Sequence, residues 1–406
     1  MSPDAADRTP LAAGAAPRAA GAVAEAVAAA IHRHGPLPLD RVLDMALYDP
    51  TAGFYERGGR AGGREGDFLT SPEVGPLFGR VVGRALDGWW RAMGSPDPYV
   101  VVDAGAGPGT LCRTVLAAAP ACAPALRYVL VERSATQRAH HAERLRLEDP
   151  ALAFAPVDPD TESPVAGAPP GPICVSLGEL PRVAGPAVVL ANELLDNLPF
   201  GLAEWRGGAW HEVRVDLGPA GGGLVERLVP LADDRATLLS RLARGPDEAA
   251  TPGLADGARV PLQDAARAWL RDALAVATPA GRVVAIDYAT TTADLAARPP
   301  AAWLRTYRGH ARGGGLLDDL GAQDVTCEVA TDQLALVRPP SSDTSQAAWL
   351  RAWGIDDLVE EGRRVWTERA AVADLAAVAA RSRIAEAEAL LDPTGLGAFR
   401  VLEWAG

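Results

Sequence analysis

Tyr99-Val-Val-Val-Asp-Ala-Gly-Ala-Gly-Pro-Gly-Thr-Leu111 is the stretch whose reading decides the fold. Tyr99 to Val102 are apolar and mostly β-branched, which predicts a buried strand. The strand runs into one acidic residue, Asp103, and then into a turn carrying Gly105, Gly107 and Gly109. Glycines there let the backbone bend sharply and approach a ligand with no Cβ between them. A helix is expected from about Thr110 to Ala118. Its N-terminal amides and the positive end of its dipole would face whatever lies on the turn. The plain alternative is an α/β core with an ordinary glycine turn.

The spacing of the glycines narrows the ligand. A dinucleotide fingerprint starting at Gly105 needs Gly or Ala at position 110, and Thr110 stands there. Asp-x-Gly-x-Gly-x-Gly instead resembles motif I of Rossmann-like methyltransferases, which bind S-adenosylmethionine (SAM). Arg127-Tyr-Val-Leu-Val-Glu132 reads as a second strand ending in a carboxylate. Such a carboxylate can accept two hydrogen bonds from ribose hydroxyls in either ligand class, so it supports the fold more than the choice.

Composition sets outer bounds. The chain has 406 residues, enough for one elaborated domain or two closely joined lobes, and its 48% hydrophobic content excludes wholesale disorder. A net charge of −13 argues against nonspecific nucleic-acid binding, which needs clustered cations. Cys112, Cys122, Cys174 and Cys327 show neither metal-ligand spacing nor a disulfide framework, so no metal is expected and the cytoplasm is the expected location. No apolar run is long enough to span a bilayer, so no membrane partner is expected. The early acidic residues Asp4 and Asp7 disfavour a transit peptide.

Taken in order, residues 1–20 read as a flexible tail and residues 21–98 as a helical, lid-forming region. Residues 99–406 read as the core, interrupted by an insertion at about 200–280. Ser71 is the expected N-cap of a helix through Phe78 to Trp90. A helix is expected from Ser134 to about Leu147, and Leu152 to Pro156 is a candidate third strand. Ile173–Leu177, Ala187–Ala191 and Gly281–Tyr288 are further strands, the last a fifth parallel one. Leu202–Trp205 and Trp210–Val215 alternate around Gly207-Gly208 as a hairpin. Gln323 to Val337 look like strands, Gln346 to Leu391 like helices, and Ala398 to Trp404 like a final strand.

Several motifs together resemble one family, the MidA-like methyltransferases. They are Leu47-Tyr-x-Pro-x-x-Gly-x-Tyr55, Gly66-Asp-Phe-x-Thr-Ser-Pro-Glu73 with Phe78-Gly79, and Asn192-Glu-Leu-Leu-Asp-Asn-Leu-Pro199. The resemblance extends through Asp287-Tyr288 to His310 and Asp324-Val-Thr326. Asp103 replaces the family's usual Glu in motif I, and Ala289 stands where Gly is frequent. The resemblance implies a Rossmann-like class I methyltransferase, α/β with a mostly parallel sheet, using SAM as cofactor. It also implies methylation of a protein arginine.

On this reading Asp103 and the amides of Gly105, Gly107 and Gly109 hold the amino-acid part of SAM, and Glu132 holds the ribose. Ser176 and Leu177 border the adenine or merely pack the strand. In the lid, Asp67 and Ser71 are candidates for the cofactor, although Asp67 and Glu73 serve equally to cap backbone. Glu193 and Asp196 share a face if their segment is helical, and paired carboxylates would orient a cationic guanidinium. Alternatively Asn192 and Glu193 hold SAM while Asp196 caps a helix. His310, as a neutral imidazole, can accept a proton, or it is an exposed structural residue. The expected acceptor is a protein arginine. A small-molecule acceptor and a SAM-binding assembly factor without turnover are the competing functions, and a homodimer is left open.

Overall fold

Six mainly apolar, mainly buried runs and one short polar edge strand, β6, form one seven-stranded sheet: β1 (Tyr99–Ala104), β2 (Leu126–Val131), β3 (Ile173–Leu177), β4 (Ala187–Asn192), β5 (Arg282–Asp287), β6 (Ser342–Ser345) and β7 (Arg400–Ala405). The computed structural model describes residues 16–58, 70–154, 169–219, 223–245, 253–278, 280–309, 311–372 and 374–406. The strand order is β6-β7-β5-β4-β1-β2-β3. β3, β2, β1, β4 and β5 are parallel neighbours. β7 runs antiparallel to both β5 and β6. The parallel strands therefore end at one edge, where the glycine turn, Glu132, Gly178, Glu193 and Tyr288 follow β1 to β5 in turn. That edge is where open α/β sheets place their ligands.

The parallel strands are apolar on both faces because helices cover both. Alternate residues Tyr99, Val101, Tyr128 and Leu130 point to one side, where they meet the helices Pro76–Ala92, Thr110–Ala117, Ile355–Arg369 and Leu375–Leu391. Val100, Val102 and Val129 point to the other, against Leu270 and Ala273 of the helix Asp264–Ala277.

A second, wholly antiparallel sheet is built from Gly201–Arg206, Ala209–Leu217, Leu224–Pro230 and Arg259–Leu262, with a short pairing from Leu37–Pro38. Gly207 and Gly208 turn its first hairpin at φ +60° and +81°, the mirror-image turn that suits twisted strands. The helices Ala16–His34 and Leu39–Tyr48 pack on this sheet through Val27, Leu43, Leu202 and Val213.

Five expectations change. The fold is α/β, but a parallel arrangement describes only the five adjacent strands β5, β4, β1, β2 and β3. Leu152 is not in a strand: Pro150–Ala153 is a helical turn, with Asp149 accepting from the Ala151 N–H at 2.8 Å. The helix expected to start just after Ser71 as N-cap is two, Ser71–Val74 and Pro76–Ala92, parted at Gly75, and Thr70 rather than Ser71 is the N-cap of the first. A Cβ at Gly75 would lie 2.3 Å from Glu386, whose carboxylate accepts the Leu77 N–H at 2.8 Å. Within Gln323–Val337, only Asp324–Cys327 and Val329–Ala330 are strands, and Thr331–Ala335 is helical. The helix Ala16–His34 also begins inside the segment read as the tail, of which residues 1–15 lie outside the described residues.

Candidate functional site

The glycine turn after β1 holds all three glycines at positive φ: Gly105 at +71°, Gly107 at +51° and Gly109 at +80°. These are conformations that residues with a Cβ rarely adopt. A Cβ on Gly105 would meet Leu194 at 2.8 Å, whereas one on Gly107 would point into open space. That open space belongs to two cavities, of about 240 Å³ and 70 Å³, which share Gly105, Gly107 and Glu193 in their walls. The larger is closed by Tyr48, Tyr55 and Leu180, and the smaller by Thr70, Glu73 and Asp103.

Acidic groups ring these cavities. Asp103 is buried and accepts the Tyr128 hydroxyl at 3.0 Å; burial pushes its carboxyl up to about 7, against that bond. Glu132 accepts N–H groups from Gly107 at 3.0 Å and Ser134 at 2.9 Å. Burial raises its pKa while those two donors pull it back.

Glu193 is the residue under most constraint. Its backbone stands at φ +53°, an uncommon conformation for a residue with a side chain. Its Oε1 accepts the Ser71 N–H at 2.9 Å and the Asn192 Nδ2 at 3.0 Å. Burial pushes its carboxyl up to about 8. Its Oε2 is buried without a partner, as is Asn192 Oδ1. Asp196 carries two further such oxygens, and burial, then the neighbouring Asp287, holds its pKa well above the usual carboxylate range. Asp287 is better provided, accepting N–H groups of Leu195, Asp196 and Tyr288.

A curled turn followed by a helix N-terminus, with unpartnered buried acceptors opposite, suits a ligand carrying both a carboxylate and a cationic group. Proteins similar to this chain bind such a ligand. Residues 81–342 match the S-adenosyl-L-methionine-dependent methyltransferase family Methyltransf_28. The chain belongs to this family.

Fold and sequence relatives agree with it. A Burkholderia thailandensis protein solved with bound S-adenosyl-homocysteine superposes with a TM-score of 0.76, at 25% identity over 98% of this chain and 95% of that one. A Drosophila melanogaster protein named a mitochondrial protein arginine methyltransferase is 32% identical over 48% of this chain and 44% of its own. A Danio rerio protein of that name is 25% identical over 82% of this chain and 77% of its own. The chain thus spans less than half the length of the first of these curated relatives. Their mitochondrial names overturn the expectation of a cytoplasmic protein. The family to which this chain belongs is SAM-dependent, and the chain's relatives include proteins named for arginine methylation.

The expected site residues fall into three groups. Asp103, Gly105, Gly107, Glu132, Asn192 and Glu193 line the two cavities. Ser71 meets them only through its N–H on Glu193, its hydroxyl going to Gln346 at 3.0 Å. Ser176 and Leu177 stop short of the larger cavity, whose wall begins one residue later, at Gly178. Ser176 instead bonds His141, and Gly109 packs against Leu130 and Leu145 rather than opening on a cavity. Asp67 and His310 lie outside the described residues.

Glu193 and Asp196 do not share a helical face. Only Leu195–Asn197 forms a tight turn, and Asp196 lines a separate small cleft with Tyr288, Arg305 and Tyr307. Tyr48, Tyr55 and Asn197 lie in motifs recognised in the sequence but were not expected in the site. The two tyrosine rings stack at 5.3 Å, the Arg133 guanidinium lies 4.2 Å from the Tyr48 ring, and Tyr55 donates to Asp324 at 3.0 Å. Among the described residues no cluster of His, Cys, Asp and Glu is arranged to hold a metal ion, and no helix is long and apolar enough to cross a membrane.

Proposed function

We propose that this methyltransferase acts on the guanidinium of a protein arginine. The observation that carries the reading is the set of buried, unpartnered carboxylate oxygens, Glu193 Oε2 and both oxygens of Asp196. A buried acceptor without a donor is costly, and an ionised one more so. A guanidinium presents five N–H donors and a charge in one plane, which satisfies such oxygens better than a neutral acceptor substrate does. The names of the relatives support the same choice.

In this reading the amides of the glycine turn and Asp103 hold the amino-acid part of SAM, with Asn192 beside them, and Glu132 holds the ribose. SAM supplies an electrophilic methyl group on its sulfonium. The chain's part is to align the acceptor nitrogen, exclude water and receive the proton that nitrogen gives up. Glu193 Oε2 is the receiving atom. The central sheet, with its strand order and its single antiparallel β7, is read as the Rossmann-like class I arrangement. Residues 21–98 are read as the lid region, and residues 99–406 as the core that the insertion at about 200–280 interrupts.

Incubation with methyl-labelled SAM and cell lysate, followed by acid hydrolysis of the protein fraction, tests this. Label recovered as methylarginine is the expected result. Label confined to small molecules establishes the metabolite reading instead. SAM binding without label in any fraction establishes an assembly factor without turnover.

A further inference from the structure

His141 is fully buried on the helix Ala135–Arg144 and reaches the glycine turn from behind the cavities. Its Nε2 lies 2.7 Å from the Gly107 carbonyl and its Nδ1 lies 2.8 Å from the Ser176 hydroxyl. The edge of its ring also packs 3.5 Å from where a Cβ on Gly109 would stand. The direction of both bonds follows from chemistry. A carbonyl only accepts, so Nε2 carries the hydrogen, and the neutral ring's Nδ1 accepts from the Ser176 hydroxyl. Burial favours that neutral ring by lowering its pKa.

We infer that His141, oriented by Ser176, is a positioning residue for the cofactor, acting through the carbonyl of Gly107. The inference rests on the reading that the glycine turn holds SAM. Gly107 has no side chain to anchor it and stands at φ +51°, so its two dihedrals are free unless its polar groups fix them. Glu132 takes its N–H at 3.0 Å and fixes one dihedral. His141 takes its carbonyl and fixes the other, keeping that oxygen turned away from the cavity and from Glu132. The turn is therefore set before the ligand arrives, which removes an ordering cost from binding. Ser176 gains a role at one remove from the ligand, which explains a hydroxyl at the end of β3 that stops short of the cavity. Arg138, one turn earlier on the same helix, donates to the carbonyls of Glu132 and Arg133 at 2.7 Å, so the helix braces both turns that border the larger cavity.

Titration calorimetry with S-adenosyl-homocysteine tests the inference on the full chain. His141→Phe keeps the ring volume without the hydrogen bonds and should weaken binding about tenfold, the scale of one or two missing hydrogen bonds. His141→Gln keeps a donor for the Gly107 carbonyl and should recover most of that loss. Ser176→Ala should weaken binding about threefold alone and add nothing to His141→Phe, because it acts only through the imidazole. Wild-type affinity in a folded His141→Phe protein overturns the inference, as does a Ser176→Ala loss that adds in full to that of His141→Phe. If His141→Phe does not fold, wild-type affinity in Ser176→Ala overturns it and the threefold loss supports it. Gly107→Val separates this from the reading beneath it. If Gly107→Val binds as tightly as wild type, the turn is not the SAM site and both fall. If Gly107→Val abolishes binding while His141→Phe leaves it unchanged, only the relay falls.

Discussion

At the scale of the residue, Glu193 combines a strained backbone, a saturated Oε1 and an unpartnered Oε2. Glu193→Gln keeps the shape and the hydrogen bonds of Oε1, but places an NH₂ donor where a guanidinium brings its own donors. Turnover should fall by about a hundredfold, with little change in SAM affinity, on the scale of removing a charge-assisted hydrogen bond from a transition state. Unchanged turnover removes Glu193 from the chemistry, and collapse of SAM binding moves it to the cofactor. The same burial has a pH consequence. Glu193 titrates at about 8 against an ordinary 4.5, and Asp103 at about 7 against 3.8. For an acid raised in this way, the folded state gains relative stability below the ordinary value and loses it as pH rises through the raised one. A ligand bearing a sulfonium and an ammonium favours the ionised forms, so binding between pH 6 and 7 should release protons and tighten toward pH 8. Calorimetry in buffers of different ionisation enthalpy reads the release, and a binding heat independent of buffer refutes it. Sequence alone names Asp103, Glu132 and Glu193, because acidic residues at the ends of buried strands are local patterns. It does not show that Tyr48 and Tyr55 close the cavity. Nothing local ties an aromatic turn near residue 50 to a glycine turn past residue 100.

Among the elements, the short helix Ser71–Val74 is held from far along the chain. Ser71 bonds Gln346 through its hydroxyl, and Glu386 caps the helix Pro76–Ala92 at the Leu77 N–H. Glu386→Leu leaves that N–H buried without an acceptor and should cost about 1–2 kcal/mol, the scale of a missing helix cap. A lower urea midpoint at unchanged slope is the expected reading, and an unchanged midpoint shows that the cap carries no net stability. Strands were the most legible elements, since β1, β2, β4 and β5 are runs of buried apolar residues between turn formers. Leu152–Pro156 misled because its apolar residues also suit a helical turn, and Asp149 with Pro150 starts one. Gly75 parts the helix for one reason a window of sequence contains, Pro76 directly after it, and one it does not: the space for its Cβ is filled by Glu386.

Over the whole molecule, strands from distant parts of the chain complete each other. The hairpin Gly201–Leu217 packs with the N-terminal helices in one core, so the stretch that reads as an insertion and much of the stretch that reads as a lid are continuous in space. β7 pairs along its whole length with β5, Asp287 opposite Arg400 and Arg282 opposite Ala405. A chain stopped after Pro340 lacks β6 and β7 and leaves β5 as an open edge bearing Val283, Val284 and Ile286. Such an edge is a template for pairing with other chains. The truncated protein should appear in the pellet after lysis and bind no S-adenosyl-homocysteine; a soluble, binding product shows that the five parallel strands suffice. The same pairing sets a timetable for biosynthesis. A ribosome delivers β5 well before β7, and throughout that interval the nascent chain carries an unclosed sheet beside a nearly finished ligand site. Closure waits on the last strand to emerge, so slow elongation over the intervening helices prolongs the need for chaperone cover.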